Sequence, residues 1–459
     1  MAIRTRIRRA IAALQPLLGW GESSLAFFPK ARPFLRRVVE AYRSLWTSAG
    51  RERLRLGAYA RMPRILWHLA SAYRRTLARK ARVVAVVGSF GKTTTARALS
   101  AAFGFSTRNH ASWNTGVALA DAVLHIKLGA RHAVIEVGIG GTGQMEGFAR
   151  LIRPDIAVVT SIGSEHQTSL GTLEATRTEK AKIVLALPAS GLAVLNGDDP
   201  NVLWMKDSTH APVLTYGFGE ANHVRASDVV EDELSGVRFK LHIEGEVHDV
   251  RTHLIGRHMV YPILAAVAVS HAEGRKIGRV LAALERLEPT RNRLEPIRHA
   301  SGAWILLDSY KGALETIQTA LDTLDRLPAE RKIVVLGDVE EPPGSQGPIY
   351  KEVGKRVAEV AVRVIFVGGK TNFNRLKVGT TAGGLPRAAL TNIRANPLEA
   401  ARALEDDLCL GDLVLVKGRC TQHLERVALV LLGKKVRCTT PLCPKRRSCA
   451  TCPLLRRGL

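Results

Sequence analysis

The sequence predicts an α/β protein with a central parallel sheet, a second α/β domain after it, and a basic helical region before it. Three observations support this fold class. Short β-branched runs alternate with helical patterns from about Ala81, a glycine loop joins the first run to an Ala-rich helix, and a second alternating series begins near Ala303. Such alternation is typical of parallel sheets covered by helices. We therefore expect four segments, which are residues 1–80, 81–298, 299–432 and 433–459.

The composition favours a folded protein with a strong positive charge. Hydrophobic residues make up 46% of the 459 residues, enough for sizeable cores, which excludes a disordered chain. The formal net charge is +26 at pH 7, and residues 1–80 contain 18 Lys and Arg but 3 Asp and Glu. A charge of this size favours nucleic acid, an anionic membrane surface or an acidic substrate as a partner. No apolar run reaches the roughly 18 residues of a transmembrane helix.

The first predicted segment, residues 1–80, is a basic helical arm or domain. Apolar residues recur there at helical spacing with arginines between them, and prolines divide it into short helices. Two interpretations stay open. The arm packs on the rest of the chain or on a partner protein, or it lies in an anionic membrane surface through its apolar stripe and its arginines. A transit peptide is a third alternative.

Apolar runs mark the expected strands. In the central domain they are Arg82–Val87, Ala133–Val137, Ile156–Thr160 and Leu192–Leu195. Residues 213–255 alternate in hydrophobicity, as in Val237–Ile243, and predict a small antiparallel excursion. In the second domain, which we expect to be Rossmann-like, they are Trp304–Asp308, Ile333–Gly337, Val364–Val367 and Leu413–Lys417. The boundary between the two domains is predicted near Pro296–Ser301.

The strand Arg82–Val87 runs into a glycine loop that opens a helix, which is the context of a phosphate-binding loop. The loop residues are Gly88, Ser89, Phe90, Gly91, Lys92, Thr93 and Thr94. Glycines let backbone N–H groups close around phosphate oxygens. Lys92 would reach the β- and γ-phosphates, and Thr93 or Thr94 would help to hold Mg²⁺. The loop is a shortened variant of the Walker pattern, because Val86 stands where that pattern has its first glycine.

Three further residues of the central domain carry groups that bind metals or phosphates. Glu136 lies at the end of the strand Ala133–Val137, where it can face a ligand crevice and bind Mg²⁺. His166 follows the strand Ile156–Thr160, and Lys180 lies 14 residues after it. A single residue of each type would be an ordinary surface or capping group. Their order along the chain is therefore the informative observation.

The ordered motifs resemble the Mur ligases over roughly residues 82–432. The phosphate loop is followed by a strand-end Glu and then, in the order of that family, by the segments TSIGSEHQTSLGTLEATRTEKAK, GRHMVYPILAAVAV and LLDSYKGALETIQTAL. The resemblance implies a P-loop ATPase domain in the centre and ATP and Mg²⁺ as cofactors. It also implies an ADP-forming ligase that joins a carboxylate to an amine through an acyl-phosphate.

The resemblance implies two Mg²⁺ sites. Glu136 would bind one ion together with Thr93 or Thr94, and His166 would bind the second. Lys180 occupies the position of a lysine that CO₂ carbamylates in the family, which turns a cation into a metal-binding carbamate.

The resemblance also implies contacts to the nucleotide. Arg293 and Asp308 would hold ATP from the domain junction, which implies that one domain closes on the other. Met259 and Pro262 stand where relatives have Asn residues that contact adenine, so purine recognition here must differ. The expected catalytic residues are Lys92, Glu136, His166 and Lys180.

The start of the chain bears on the substrate. Muramoyl-peptide ligases of the family carry an N-terminal domain that binds a UDP-sugar, and residues 1–80 are too short and too helical to be that domain. We therefore expect the domain to be missing and the acceptor to be a cell-envelope, polymer or peptide-like carboxylate, joined to an amino acid or another amine. The expected location is cytoplasmic, peripheral to the inner face of the membrane.

The tail contains four closely spaced cysteines, Cys438, Cys443, Cys449 and Cys452. In a long chain without a secretion signal, such a cluster predicts a metal site before disulfides. Four thiolates suit zinc or an iron–sulfur cluster, although the spacing differs from two C-x-x-C knuckles. The alternative is a set of reduced cysteines in a flexible basic tail.

Two functions of other classes stay open. A nucleic-acid-binding P-loop NTPase would account for the charge, the loop and a tail metal. However, aromatic residues are only 5% and do not interleave with the basic ones, so nucleic acid is not the expected partner. A catalytically idle ligase-fold scaffold is the other alternative. Phosphate release that depends on both a carboxylate and an amine separates the ligase from both.

Overall fold

A computed structural model of the chain describes residues 63–105, 115–164, 167–394, 396–445 and 448–455. Most of the predicted arm, residues 1–62, lies outside these ranges, and so does His166. Within them the chain forms two sheets, each packed by apolar residues on both faces. The predicted α/β class with two successive sheets is therefore confirmed.

The first sheet belongs to the central domain. Its strands are β1 Arg82–Val87, β2 His132–Glu136, β3 Ile156–Val159, β4 Leu192–Asn196, β5 Val213–Gly217, β6 Val224–Glu231, β7 Val237–Ile243 and β8 Glu246–Thr252. Their order is β2-β1-β3-β4-β5-β6-β7-β8. Strands β1 to β6 pair in parallel, whereas β7 pairs antiparallel with both β6 and β8.

The predicted antiparallel excursion over residues 213–255 is thus partly wrong. The apolar run of β5 is inserted between β4 and β6 and extends the parallel sheet. The hairpin strands β6, β7 and β8 then continue the same sheet instead of leaving it. The alternation of Val237–Ile243 was a correct signal for β7, since its residues are alternately buried and exposed over most of their length.

Helices cover the two faces of the first sheet. They are α1 Pro63–Arg75, α2 Lys92–Ala102, α3 Gly116–Leu124, α4 Gln144–Ile152, α5 Gln167–Leu170, α6 Leu173–Leu185, α7 Pro200–Leu203, α8 Val260–Ala272 and α9 Ile277–Glu285. Helices α2, α8 and α9 pack on one face, and α1, α3, α4 and α6 pack on the other. None of the helices in the described ranges is both long and apolar enough to cross a bilayer.

The second sheet belongs to the last domain. Its strands are β9 Glu295–Arg298, β10 Trp304–Asp308, β11 Arg331–Gly337, β12 Arg363–Val367, β13 Leu390–Asn392 and β14 Asp412–Lys417, and its helices are α10 Leu314–Arg326, α11 Gln346–Val360, α12 Lys370–Ala382, α13 Pro397–Glu405 and α14 Glu425–Leu431. The strand order is β13-β12-β11-β14-β10-β9, and only the edge strand β9 runs antiparallel to its neighbour among these six.

In each sheet the strand order reverses at one point, and these two points border the same cavity. The neighbours of β1 are β2 and β3, and β14 lies between β10 and β11. In open α/β sheets, ligands bind outside the carboxyl ends of the strands at such points. The loop after β1 and the last residues of β10 and β14, which are Asp308 and Lys417, line one common cavity. The fold therefore places the predicted site between the two domains.

Helix α1 is part of the central domain. Leu66 and Ala70 on this helix are buried in the core that also contains β1. The buried guanidinium of Arg74 donates hydrogen bonds to the carbonyl of Ile152 at 2.7 Å and to a carboxylate oxygen of Asp155 at 3.2 Å. Because α1 is held by buried contacts, a deletion that tests the arm should end at residue 62.

Candidate active site

The loop between β1 and α2 has the geometry of a phosphate-binding loop. Gly88 and Gly91 have φ angles of 151° and 83°, which favour glycine. A Cβ at Gly88 would lie 2.0 Å from Oγ1 of Thr160, so only glycine fits beside the end of β3. Lys92 is 6% exposed, and its Nζ donates to the carbonyls of Gly88 at 2.7 Å and Ser89 at 3.0 Å. The ammonium is thus held over the loop that would receive a phosphate.

Residues after β3 fix the shape of the loop. The backbone N–H of Ser89 donates to the carbonyl of Ser161 at 2.7 Å, and the N–H of Phe90 donates to Oγ of Ser161 at 3.0 Å. The hydroxyl of Thr160 donates to the carbonyl of Phe90 at 2.5 Å. The loop is therefore braced by the neighbouring parallel strand.

Thr93 and Glu136 are brought together by the pairing of β1 with β2. Oγ1 of Thr93 lies 3.0 Å from Oε2 of Glu136, at the carboxyl end of the sheet. Thr94 instead faces Thr290, with 3.4 Å between the two hydroxyl oxygens, and Arg97 donates to the same Thr290 hydroxyl at 2.5 Å. Of the two threonines suggested by the sequence, Thr93 is the one beside the carboxylate. A hydroxyl and a carboxylate side by side are oxygen donors that suit Mg²⁺.

Lys180 lies on α6, and its side chain reaches the phosphate-binding loop. It is 2% exposed, and its Nζ donates to Oγ of Ser89 at 2.8 Å. The same Ser89 hydroxyl accepts the N–H of Gly163 at 2.9 Å. Lys180 is thus joined to the loop by a hydrogen bond, whereas His166 lies outside the described residues.

The last domain contributes one ion pair and one cation–π contact to the cavity. Nζ of Lys417 lies 2.8 Å from Oδ2 of Asp308 and also donates to the carbonyl of Lys311 at 2.5 Å. Burial lowers the pKa of Lys417, and the Asp308 carboxylate opposes that shift. The guanidinium of Arg293 lies 4.5 Å from the ring centre of Tyr310. Arg293 and Asp308 therefore both line the cavity at the domain junction.

The cavity between the domains has a volume of about 530 Å³. Its walls include loop residues, the ends of β3, β4, β10 and β14, and the start of α10; among them are Phe90, Thr94, Thr160, Asn196, Asp198, Tyr216, Arg293, Asp308 and Lys417. A recess of about 30 Å³ adjoins it and is lined by Lys92, Thr93, Glu136, Glu340 and Cys420 among others. The volume of the larger cavity, about 530 Å³, falls within the range of small-molecule sites.

Sequence reasoning missed Glu315, which connects the two domains. Its carboxylate accepts the backbone N–H and the hydroxyl of Ser164, both at 2.7 Å. Glu315 lies in the first turn of α10, in the last domain, whereas Ser164 follows β3 in the central domain. Both residues stand in segments that carry the family resemblance, so their position in the motifs was the available signal.

The two residues that replace the adenine-contacting Asn residues of relatives lie in the cavity wall. Met259 and Pro262 both line it, beside His258. Gly256 has a φ of 98°, and a Cβ there would come within 2.8 Å of the His258 ring. Burial lowers the pKa of His258 to about 4, so its imidazole is neutral at pH 7.

The four tail cysteines are all within the described residues, and none of these four forms a disulfide there. Cys449 is buried, and Cys438, Cys443 and Cys452 are half-buried. Cys449 lies beside His423 and Glu425, two residues that sequence reasoning did not single out.

Two family models match the chain in sequence. The Mur ligase middle domain matches residues 86–270, and the Mur ligase, glutamate ligase domain matches residues 292–420. These ranges contain the phosphate-binding loop, Glu136, Lys180, Arg293 and Asp308.

Among curated proteins, the chain is similar to the UDP-N-acetylmuramoyl-tripeptide–D-alanyl-D-alanine ligase of Bacillus subtilis, with 28% identity over 373 residues, covering 80% of this chain and 79% of that one. It is also 32% identical over 214 residues to the UDP-N-acetylmuramoyl-L-alanyl-D-glutamate–2,6-diaminopimelate ligase of Geobacillus kaustophilus, covering 45% of this chain and 43% of that one.

Among solved structures, MurF from Acinetobacter baumannii superposes with a TM-score of 0.71 at 22% identity, covering 80% of both chains. MurF ligase from Thermotoga maritima in complex with ADP gives a TM-score of 0.71 at 22% identity, covering 81% of this chain and 83% of that one. These structures share the fold described above.

Proposed function

This chain belongs to the Mur ligase family of ATP-dependent, ADP-forming peptide ligases, and from that premise we propose that its interdomain cavity joins a cell-envelope or peptide-like carboxylate to an amine. One observation supports the proposal above all others. The phosphate-binding loop, Glu136 and Lys180 converge at the switch point of the first sheet and face Asp308 and Lys417 of the second.

The loop would bind the phosphates of ATP. Lys92 is already positioned over the loop by the carbonyls of Gly88 and Ser89. On nucleotide binding, its ammonium would exchange these neutral acceptors for phosphate oxygens, and a charged acceptor makes the stronger hydrogen bond. The same cation would offset negative charge while the γ-phosphate passes to the substrate carboxylate.

The residues beside the loop fit Mg²⁺. Thr93 and Glu136 would hold one ion through the hydroxyl and the carboxylate that lie 3.0 Å apart. His166 and Lys180 would hold a second ion, with Lys180 as its carbamate. When bound, Mg²⁺ neutralises charge on the transferring phosphoryl group. Without CO₂, the buried amine of Lys180 donates to Ser89, so carbamylation is the step that would convert this side chain into a metal ligand.

The last domain would close over the nucleotide. Arg293 and Asp308 would hold ATP from the domain junction, and Lys417 keeps the Asp308 carboxylate paired inside the cavity. The two hydrogen bonds from Ser164 to Glu315 hold the domains together beside the loop. When the last domain closes, water is kept away from the acyl-phosphate. Hydrolysis of this intermediate is thereby prevented.

The names of the relatives suggest the first substrates to test. The tripeptide ligase of Bacillus subtilis acts, by its name, on a UDP-N-acetylmuramoyl-tripeptide and D-alanyl-D-alanine. We take that pair as one member of a wider class, in which the acceptor is a carboxylate on a cell-envelope precursor, a polymer or a peptide.

Phosphate release from ATP by the purified protein tests the proposal. Carboxylate acceptors and amines are supplied singly and in pairs, and products are identified by mass spectrometry. We expect release that needs both members of one pair, with ADP and an amide as products. Lys92→Ala should lower this release at least 10²-fold, since a charge that stabilises the transition state is lost. Lys127→Ala, at an exposed position, is the matched control.

Three results would contradict the proposal. Release stimulated by nucleic acid alone would favour the nucleic-acid-binding NTPase. ATP binding without turnover across the whole panel would favour the idle scaffold. Wild-type release by Lys92→Ala would show that the loop is not the phosphate site.

For residues 1–62 we propose contact with an anionic membrane surface, on the cytoplasmic face. Residues 1–62 contain 13 Lys and Arg against 3 Asp and Glu, and this charge supports the proposal together with their apolar periodicity. A partner protein with an acidic surface is the alternative.

A further inference from the structure

The tail folds back on the turn that joins β14 to α14. The N–H of Cys443 donates to the carbonyl of Thr421 at 2.8 Å, and the N–H of Cys449 donates to Oε1 of Glu425 at 3.0 Å. Thr421 lies in that turn, and Glu425 is the first residue of α14. The cysteine-rich tail is therefore docked on the last catalytic domain.

One buried arginine holds the turn and the tail together. The guanidinium of Arg426 is 1% exposed and donates to four carbonyls. Two belong to the turn, Gln422 at 3.0 Å and His423 at 3.2 Å, and two belong to the tail, Cys438 at 3.0 Å and Thr440 at 2.8 Å. This arrangement fixes the position of Cys438 relative to His423.

A group of metal-binding atoms is buried between them. A ring nitrogen of His423, a carboxylate oxygen of Glu425 and the thiol of Cys449 all lie within 4.8 Å of one another. The three residues are 3%, 4% and 8% exposed. Buried clusters of titratable groups are costly to desolvate unless an ion or hydrogen bonds compensate.

His423 is oriented as a metal-binding histidine would be. Its Nδ1 lies 3.1 Å from Oε1 of Glu425, whereas its Nε2 is buried and has no hydrogen-bond partner among the described residues. A buried nitrogen without a partner is rare and calls for an explanation. Metal-ligating histidines commonly bond a carboxylate through the other ring nitrogen, which fixes the ring.

Two further cysteines of the tail are held near this group. The N–H of Cys452 donates to the carbonyl of Cys449 at 2.9 Å, which turns the C-x-x-C segment back on itself. The guanidinium of Arg426 lies 3.8 Å from Sγ of Cys438 and also donates to the carbonyl of His423, so Cys438 is held beside the turn that contains the histidine.

We propose that the last domain binds one zinc-class divalent cation through Nε2 of His423 and the thiolates of Cys438, Cys449 and Cys452, with Glu425 orienting the histidine. Three sulfurs and one imidazole are a common closed tetrahedral set for structural zinc. This set differs from the four tail cysteines, because it replaces Cys443 by a residue of the catalytic domain. The ion therefore joins the tail to that domain.

The position of the ion gives it a structural role next to the active site. In the same turn, Oε1 of Gln422 accepts the N–H of Asp338 at 3.0 Å, and its Nε2 donates to the carbonyl of Val367 at 2.9 Å. Cys420 of this turn lines the recess that contains Lys92. Fixing His423 thus fixes the turn that forms one wall of that recess, without touching the reacting groups.

Metal content of the full chain tests the site independently of any ligase assay. The protein is purified under reducing conditions, loaded with Zn²⁺ and passed over a desalting column, and zinc is counted by mass spectrometry. We expect about one zinc per chain, and Co²⁺ loading should give the visible absorption of tetrahedral thiolate coordination. His423→Gln and Cys449→Ser should each weaken zinc retention at least 100-fold against a chelator. Cys409→Ser, at an exposed cysteine outside the cluster, should retain it.

A second comparison tests the choice of ligands. Cys443→Ser should hold zinc as the wild type does. Loss of zinc by Cys443→Ser with full retention by His423→Gln would assign the ion to the four cysteines and overturn the role of His423. Absence of zinc from the loaded wild type, or iron with labile sulfide in its place, would overturn the zinc site itself.

Discussion

At the scale of single residues, Glu179 and Lys180 stand side by side on α6 and have different tasks. Glu179 accepts the N–H of Met145 at 2.9 Å and the ammonium of Lys182 at 2.6 Å, so it fixes α4 to α6. Lys180 instead donates to Ser89 in the phosphate-binding loop. Of these two residues, Lys180 is the one that contacts the phosphate-binding loop, which makes it the residue to test.

Lys180→Ala should reduce phosphate release to a few per cent or less, because a carbamate ligand would be lost. Acetate or propionate should restore part of the activity, since a small carboxylate can occupy the vacated space and supply two oxygens. The measurement is the rate of release against carboxylate concentration. Lys182→Ala on the same helix is the control and should stay active without additives. Full activity of Lys180→Ala without any carboxylate would remove the carbamate from the mechanism.

His258 should make the protein less stable in mild acid. Its pKa is about 4 in the folded chain and about 6.5 in an unfolded chain, so the unfolded chain binds the proton more readily as pH falls below 6.5. The stability that neutral His258 contributes is therefore fully present above pH 6.5 and is lost as pH falls toward 4. Between pH 7 and pH 5 this histidine should account for about 2 kcal/mol of unfolding free energy.

Urea unfolding at pH 7 and pH 5, compared between the wild type and His258→Gln, measures that contribution. Carboxylates titrate in both proteins, so their effect on the unfolding free energy cancels in the comparison. The variant should lose less stability on acidification. Equal losses in the two proteins would mean that the folded His258 is not held neutral.

Residues at strand ends could be predicted, and residues in long-range contacts could not. Glu136 was found because it lies at the end of a strand beside a phosphate-binding loop, where the sheet geometry fixes its direction. His423 gave no such signal, because its partner Cys449 lies 26 positions later in a segment without regular pattern. Such contacts depend on tertiary packing that local sequence does not encode.

At the scale of elements, strands of β-branched residues were predicted to within two positions, since a buried parallel strand must be apolar throughout. The predicted runs Arg82–Val87 and Trp304–Asp308 agree with β1 and β10 at both ends. Residues 213–217 were assigned to the wrong kind of pairing. A run of five residues fits either a parallel or an antiparallel neighbour, and strand order decides between them.

Helix α10 should control how firmly the domains close. Glu315→Ala removes two hydrogen bonds to Ser164, and bonds to a charged group contribute roughly 1.5–3 kcal/mol each. We expect kcat/KM for ATP to fall at least tenfold. Stability should change little, because Ser164 can bond water once the domains part. Initial rates against ATP concentration measure the effect.

Glu352→Ala on α11 is the matched control, since Glu352 is exposed and accepts one hydrogen bond from Gln318 within the last domain. It should leave kcat/KM unchanged. A kcat/KM for Glu315→Ala equal to that of the control would show that the contact is not part of the closed, active form.

At the scale of the whole molecule, the two sheets share one apolar cluster and one cavity. Val84 and Val158 of the first sheet belong to the same cluster as Val334 and Leu415 of the second. Composition and periodicity predicted two domains, but not that their cores are continuous. Continuity arises from tertiary packing between the two domains, which no single segment specifies.

Charge is also a property of the whole chain. If residues 1–62 bind membranes through their net positive charge, the full chain should sediment with vesicles that contain phosphatidylglycerol, and rising salt should release it. Deletion of residues 1–62 should abolish sedimentation while phosphate release is kept, because α1 and the core beneath it remain. Equal sedimentation of both proteins would exclude the membrane role of the arm.

The buried attachment of α1 has a mechanical meaning. Arg74, Leu66 and Ala70 fix this helix to the sheet, so its first residue has a set place on the surface of the catalytic domain. A helix of 13 residues is about 20 Å long, and a docked helix transmits orientation where a loose linker would transmit only distance. A partner bound directly at the first turn of this helix would therefore keep a fixed orientation relative to the cavity between the domains.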